Sequence, residues 1–346
     1  MTSRPLVVRL LPGLALAGAV SVVSLAIAEA ETRAFGHPVI EGLVVAILLG
    51  MLVRTFWVPP LAAAHGVRFA AKEVLEVAIV LLGASVDLPL LLRSGPSLAL
   101  GIVLLVVLGL AASYAIGRLF GLPHNLAVLV GCGNSICGNS AIAAVAPVIG
   151  ADQEHVASAI AFTAILGVVV VVALPLLAHP LGLSDYQYGV VAGLTVYAVP
   201  QVLAAAFPVS VLSGQVGTLV KLMRVLMLGP VVLFFALRHR GNRASVAAAS
   251  RRANARFQVT RFVPWFIIGF MLLGGLRSAG VITPGIGDPL KMLSGWLTVV
   301  AMAALGLGVN LRAIARVGRP VMITVSASLL VLFGLSLSLI HVLAIR

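Results

Sequence analysis

About eleven apolar blocks, each roughly 17 to 25 residues long, limit the fold of this chain more than any other feature. A helix of that length, rising about 1.5 Å per residue, crosses a hydrocarbon core of about 30 Å. The blocks fall at roughly 10–28, 38–54, 70–86, 96–118, 124–149, 155–178, 187–207, 213–237, 261–279, 292–309 and 320–344. They lack the one-sided periodicity of helices lying on a soluble core. Only helices and closed barrels keep every backbone polar group paired in lipid, and blocks this long exclude a barrel. Hydrophobic residues make up 61% of the chain and charged residues 10%, against about a quarter charged in a soluble domain. The fold class is therefore an all-α polytopic membrane protein, read as one transmembrane domain over 1–346.

The net charge of +13, from 23 Lys+Arg against 10 Asp+Glu, gains meaning from its location. It gathers in short loops, above all RHRGNRASVAAASRRANARFQVTR, Arg238 to Arg261. Cytoplasmic loops are enriched in Lys and Arg, so 238–261 reads as a basic cytoplasmic loop. No aromatic residues beyond Phe257 interleave the charges, so nucleic acid is excluded as a partner and anionic membrane lipid is favoured. Counting both ways from this loop places the N-terminus, with Arg4 and Arg9, in the cytoplasm and the C-terminus outside. Arg54, Arg68 and Lys72 then fall inside; Glu29, Glu31, Asp152 and Glu154 fall outside. We expect a multi-pass protein of the cell inner membrane, open to forming a homodimer. Residues 1–30 also carry signal-peptide features, two arginines, an apolar run from Leu14 to Ile27 and the small residues of AIAEA, but read as an uncleaved first span.

An internal repeat is visible. LGASVDLPLLLRSG, Leu82 to Gly95, aligns without gaps on LGLGVNLRAIARVG, Leu305 to Gly318. The preceding spans end similarly, in LLGMLVR and LLGGLRS. The orientation puts the two copies on opposite sides, as in the inverted repeats of many secondary transporters. The first repeat covers 38–178 and the second 187–346, with a rearranged order, because no broken span follows the last one.

The fifth block contains GCGNSICGNSAIAA, Gly131 to Ala144. Glycines 131, 133 and 138 favour a break, giving two half-helices, the second starting near Asn139 or Ser140. Its free N–H groups and positive dipole end near mid-membrane suit an anion. Asn134, Ser135, Cys137, Gly138, Asn139 and Ser140 become candidate substrate contacts. Close packing alone explains the glycines but not the two asparagines. Cys132 and Cys137 form no recognisable metal or redox pattern. In the seventh block Pro200 and Gln201 interrupt GLTVYAVPQVLAAAF, Gly193 to Phe207, which reads equally as a simple proline kink; a kink that faces the first break adds Thr195, Tyr197 and Gln201 as candidate contacts.

Lys221 and Arg224 share one helical face inside an apolar run, which suits an anionic substrate, snorkelling, or pairing with Glu41, Glu73, Glu76 or Asp87. Glu73 and Glu76 either flank the membrane or take part in proton coupling. Asp87, replaced by Asn310 in the other copy of the repeat, reads as a cap.

SICGNSAIAA (Ser135 to Ala144) and VKLMRVLMLGPV (Val220 to Val231) resemble motifs of the YeiH family, whose general label is sulfate exporter. The likeness spans nearly the whole chain. The order of V-[DN]-L loop, span, broken span and span from Leu82 to Leu177 also resembles the bile-acid/arsenite/riboflavin transporter superfamily. That likeness implies crossing helices that line a substrate site. One departure stands out: this chain reads YAVPQV, Tyr197 to Val202, where the family reads H-E-V-A-Q-V.

These readings converge on a secondary-active transporter of small anions, sulfate or an organosulfonate by resemblance, working by alternating access at a mid-membrane site. No cofactor or metal is called for. The chain carries no phosphate-binding ATPase motif, so exchange or a coupling ion, H+ or Na+, would drive it. A cation/proton antiporter would need an acid at the breaks, and none lies within Gly131–Ala144 or Gly193–Phe207. An intramembrane enzyme using Ser135, Ser140 or Cys137 would need a positioned base; a passive channel is the remaining alternative.

Overall fold

The structure is a computed structural model that describes residues 6–35, 42–85, 95–178, 180–238, 265–309 and 319–343. In chain order the helices are α1 (Leu6–Phe35), α2 (Gly42–Phe56), α3 (Leu61–Phe69), α4 (Leu75–Gly83), α5 (Gly95–Leu119), α6 (His124–Cys132), α7 (Asn139–Ile149) and α8 (Gln153–Ala178). They continue as α9 (Asp185–Thr195), α10 (Val199–Ala206), α11 (Val211–Leu226), α12 (Leu228–Arg238), α13 (Trp265–Ser278), α14 (Pro284–Leu307) and α15 (Arg319–Val342). A π-helical turn, Ala70–Val74, joins α3 to α4, and a second, Gly133–Cys137, extends α6. Among the described residues every predicted apolar block is mostly helical, and no strand occurs. Asp87, Glu41, Arg4, Asn310, most of both repeated loops and the basic loop beyond Arg238 lie outside the described residues.

The chain forms two compact units. The first comprises Met1–Leu90 and Trp265–Arg312. Its helices meet backbone to backbone at glycines. A methyl group on Gly306 of α14 would lie 2.2 Å from the Ile47 carbonyl of α2, and one on Gly50 would lie 2.5 Å from the Ala303 carbonyl. Gly83 of α4 sits equally close to Phe270 of α13, and Gly13 of α1 to Ala63 of α3. Lipid gives helices no hydrophobic reason to associate, so small residues that allow such approach supply the attraction by van der Waals packing. Two acidic residues here are engaged: Glu73 lies 3.5 Å from Lys72, and Glu76 accepts a 2.6 Å bond from the Trp265 indole.

The second unit comprises Leu91–Pro264 and Ala313–Arg346. It corrects the expected count of crossings, because two of the predicted spans turn back on themselves. Residues 124–149 as one helix would separate their ends by about 37 Å, yet the Asn125 amide reaches the Gly150 carbonyl at 3.5 Å, and α6 packs on α7. Likewise the Tyr188 hydroxyl donates to the Ala205 carbonyl at 2.8 Å, tying the start of α9 to the end of α10. Both segments are helical hairpins. Their arms are 11 residues or shorter in α7, α9 and α10, about 12–16 Å, which reaches only about half the thickness of a bilayer core. The 26-residue α8 runs from the base of the first hairpin to the base of the second. The hairpins therefore enter from opposite sides. Two non-crossing segments leave the expected sides of the termini unchanged but move Asp152 and Glu154 to the side opposite that expected.

Single cysteines placed in a Cys132→Ser/Cys137→Ser background test this topology. Phe120→Cys and Ala151→Cys should label from one face of sealed vesicles, and Leu181→Cys and Val209→Cys from the other. Through-spanning segments would instead put 120 and 151 on different faces.

Candidate functional site at the hairpin tips

The first hairpin turns at Gly138, whose φ of +66° and ψ of −124° suit a residue without a Cβ. Its α carbon faces the second hairpin, since a methyl group there would sit 3.4 Å from the Tyr197 Cβ. The expected break at Gly131 and Gly133 does not occur, because both stay helical. Their missing side chains admit neighbours instead: a methyl group on Gly131 would lie 3.2 Å from the Leu110 carbonyl of α5, and one on Gly133 would lie 2.9 Å from the Ile142 side chain of the opposite arm. As expected, a new helix begins at Asn139.

The second hairpin opens with Ser184, whose side chain caps α9 in a reciprocal pair with Gln187. α9 ends where Val196 and Ala198 become extended, so the chain breaks outright rather than kinking. Pro200 falls in the first turn of α10, where its missing donor costs nothing. Gln201 Oε1 accepts the Ala198 N–H at 3.1 Å, and the side chain lies against Gly167 of α8. Thr195 bonds back to the Val191 carbonyl.

Lys221 and Arg224 of α11, one turn apart and fully buried, hold the tips together. Lys221 Nζ donates to the Ile136 carbonyl at 2.7 Å and the Val196 carbonyl at 2.8 Å, one from each hairpin. Arg224 donates from Nε to Ser135 O at 3.1 Å, from Nη2 to Asn134 O at 3.0 Å, and from Nη1 to Gly193 O at 2.9 Å and to Leu194 O. All six carbonyls close the first arm of a hairpin. Such groups have no intrahelical donor and carry the negative end of the helix dipole. Fully buried, the cations do not snorkel, and among the described residues they pair with no acid, their bonds going to backbone oxygen.

The second arms point the other end of the dipole at the junction. Helix geometry leaves the first-turn N–H groups of Asn139, Ser140, Val199 and Gln201 without intrahelical acceptors. Asn139 and Ser140 are exposed, and the Thr163 hydroxyl of α8 holds the Asn139 amide oxygen. The tips therefore join donors in front to two positive charges behind.

The expected site residues separate by depth. Asn139, Ser140 and Gly138 form the leading edge of the first tip. Asn134 and Ser135 are fully buried toward α5, Asn134 Nδ2 donating to Ser113 Oγ at 3.0 Å and Ser135 Oγ lying 3.1 Å from where a Gly109 Cβ would be. Their carbonyls, not their side chains, face Arg224. Cys137 is buried as a free thiol. Tyr197 is buried beside Gly138, its hydroxyl without a partner among the described residues. Glu73 and Glu76 belong to the first unit. Sequence reasoning missed Thr163, which reads as one more hydroxyl in an apolar run.

The chain matches the family described as Conserved hypothetical protein 698 over residues 12–325. It is 50% identical to a UPF0324 membrane protein of Bradyrhizobium diazoefficiens, covering 96% of this chain and 93% of that protein. A UPF0324 membrane protein of Brucella melitensis is 51% identical over 97% of this chain and 92% of its own length. One from Bacillus cereus is 33% identical over 80% and 79%.

Removing Arg224 strands four carbonyls in a dry interior. Arg224→Met should destabilise the protein by about 3–5 kcal/mol, the range for breaking a buried charged cluster, and Arg224→Lys by less. Gly138→Ala should cost about 1–3 kcal/mol, from backbone strain. Thermal unfolding in detergent checks both; an unchanged midpoint for Arg224→Met would contradict the bonding described.

Proposed function

This chain belongs to that family, the UPF0324 or YeiH membrane proteins, and we propose that it is a secondary-active transporter of small anions whose substrate binds at the hairpin tips. One observation carries the reading: two fully buried cations, bonded only to carbonyls among the described residues, back a junction where two helix N-termini end. Such a junction attracts negative charge and replaces hydration with N–H donors. A cation carrier would face the opposite field. Sulfate or an organosulfonate is the substrate suggested by the family resemblance.

The packing supports two repeats, the second permuted in sequence. We match α2, α3–α4, α5, the first hairpin and α8 with α13, α14, α15, the second hairpin and α11–α12. Observed pairs then exchange: α2 packs on α14 and α4 on α13, while α5 packs on α6 and α15 on α9. Extending the gap-free alignment of Leu82 with Leu305 puts Gly109 opposite Leu332, and these touch across α5 and α15, as residues on a pseudo-two-fold axis must. Alternating access follows from two hairpins that enter from opposite sides to one site. We place the protein in the inner membrane, with a cytoplasmic N-terminus and an external C-terminus, from the basic loop after α12.

Labelled-sulfate flux into proteoliposomes tests this. Wild-type flux should saturate and compete with sulfite or taurine more than with chloride. Asn139→Leu, which replaces a tip donor, should lower it by about ten-fold or more, equivalent to about 1.4 kcal/mol. No saturable flux of any of these anions through folded, reconstituted protein would discard the proposal.

A further inference from the structure

Resting on the anion reading, we propose that the protein is an obligate anion exchanger: the loaded site changes the side it faces, and the empty site does not. The argument is a charge count at the tips. With both side chains protonated, as donors that bond only carbonyl oxygen among the described residues, Lys221 and Arg224 bring two positive charges at 0% exposure. The carbonyl ends of α9 and of the π-extended α6 supply about half a negative charge each. The balance is about one positive charge. The N-termini of α7 and α10 at the same junction add about half a positive charge each. Tyr197, Ala198, Asn139 and Ser140, which form the turns, bring no carboxylate. The three ion pairs found among the described residues involve Glu29, Glu73 and Asp152, all elsewhere.

In a state open to water this excess is tolerable, because water would meet the junction at Asn139 and Ser140, which are exposed. Any passage between inward and outward access must close both sides, which removes that water. An uncompensated buried charge is then expensive, whereas an anion on the N–H donors cancels it. A dianion matches the excess best. The empty carrier is held on the side where it released its cargo until another anion arrives. This places the coupling in the fixed charge of Lys221 and Arg224 rather than in a co-transported cation.

The test compares two fluxes through wild-type protein in proteoliposomes preloaded with labelled sulfate, with potassium and valinomycin on both sides to clamp the potential. Efflux into buffer containing sulfate should exceed efflux into buffer free of permeant anions by about ten-fold or more. Lys221→Met removes one charge and should narrow the ratio, with sulfate-dependent thermal stabilisation confirming that the variant still folds and binds. Saturable efflux at equal rates in both buffers would overturn exchange while leaving the anion site standing. Net efflux accompanied by a stoichiometric proton movement would also overturn it, by showing that a proton cancels the charge. No efflux in either buffer from folded protein would instead remove the anion reading itself.

Discussion

Six backbone carbonyls around two buried cations hold the second unit in its shape. A helix that stops in the middle of a membrane leaves its last carbonyls unpaired, at a cost of a few kcal/mol each in hydrocarbon. A lysine or arginine at the same depth is equally unfavourable alone. Brought together, each removes the other's penalty: α9 and the π-extended α6 can end at mid-depth because α11 supplies Lys221 and Arg224 there. The interaction is mutual, so neither hairpin tip nor the charged face of α11 is stable without the other.

That constraint explains the asymmetry between the arms of each hairpin. The first arms end on cations and are sealed, their polar side chains turned away from the junction. The second arms begin at Asn139 and Ser140, which are exposed, and at Val199, which is buried, and their first-turn N–H groups have no intrahelical acceptor, so the dipole that was costly at one arm becomes a binding feature at the other. Glycine serves two purposes in this arrangement. At Gly138 it permits a conformation that reverses the chain; at Gly131, Gly133 and Gly167 it lets a neighbouring helix or side chain approach the backbone.

Much of the fold was legible in the sequence. Block length alone identifies helices in lipid, and the helix start near Asn139 was expected from its capping-type side chain, although Gly138 is the N-cap and the Asn139 amide oxygen is held by Thr163 instead. The paired repeat loops pointed to two related halves. The two hairpins were not legible as hairpins, since largely apolar blocks such as 124–149 and 187–207 satisfy the length of a crossing equally well, and the hydrogen bond between Asn125 and Gly150 that excludes a crossing joins positions 25 apart. Lys221 and Arg224 stood out as anomalies, but their partners are backbone atoms, which every residue possesses and no side-chain pattern reveals.

The sequence by itself determined that this chain is a helical membrane protein with interrupted segments and two unpaired cations in an apolar run, because hydrophobic length, glycine and charge are local properties. Only the tertiary structure decided that the interruptions reverse the chain, that they meet from opposite sides, and that the cations close helix ends. Those outcomes depend on which backbone groups, far apart in the chain, can satisfy one another where water is absent.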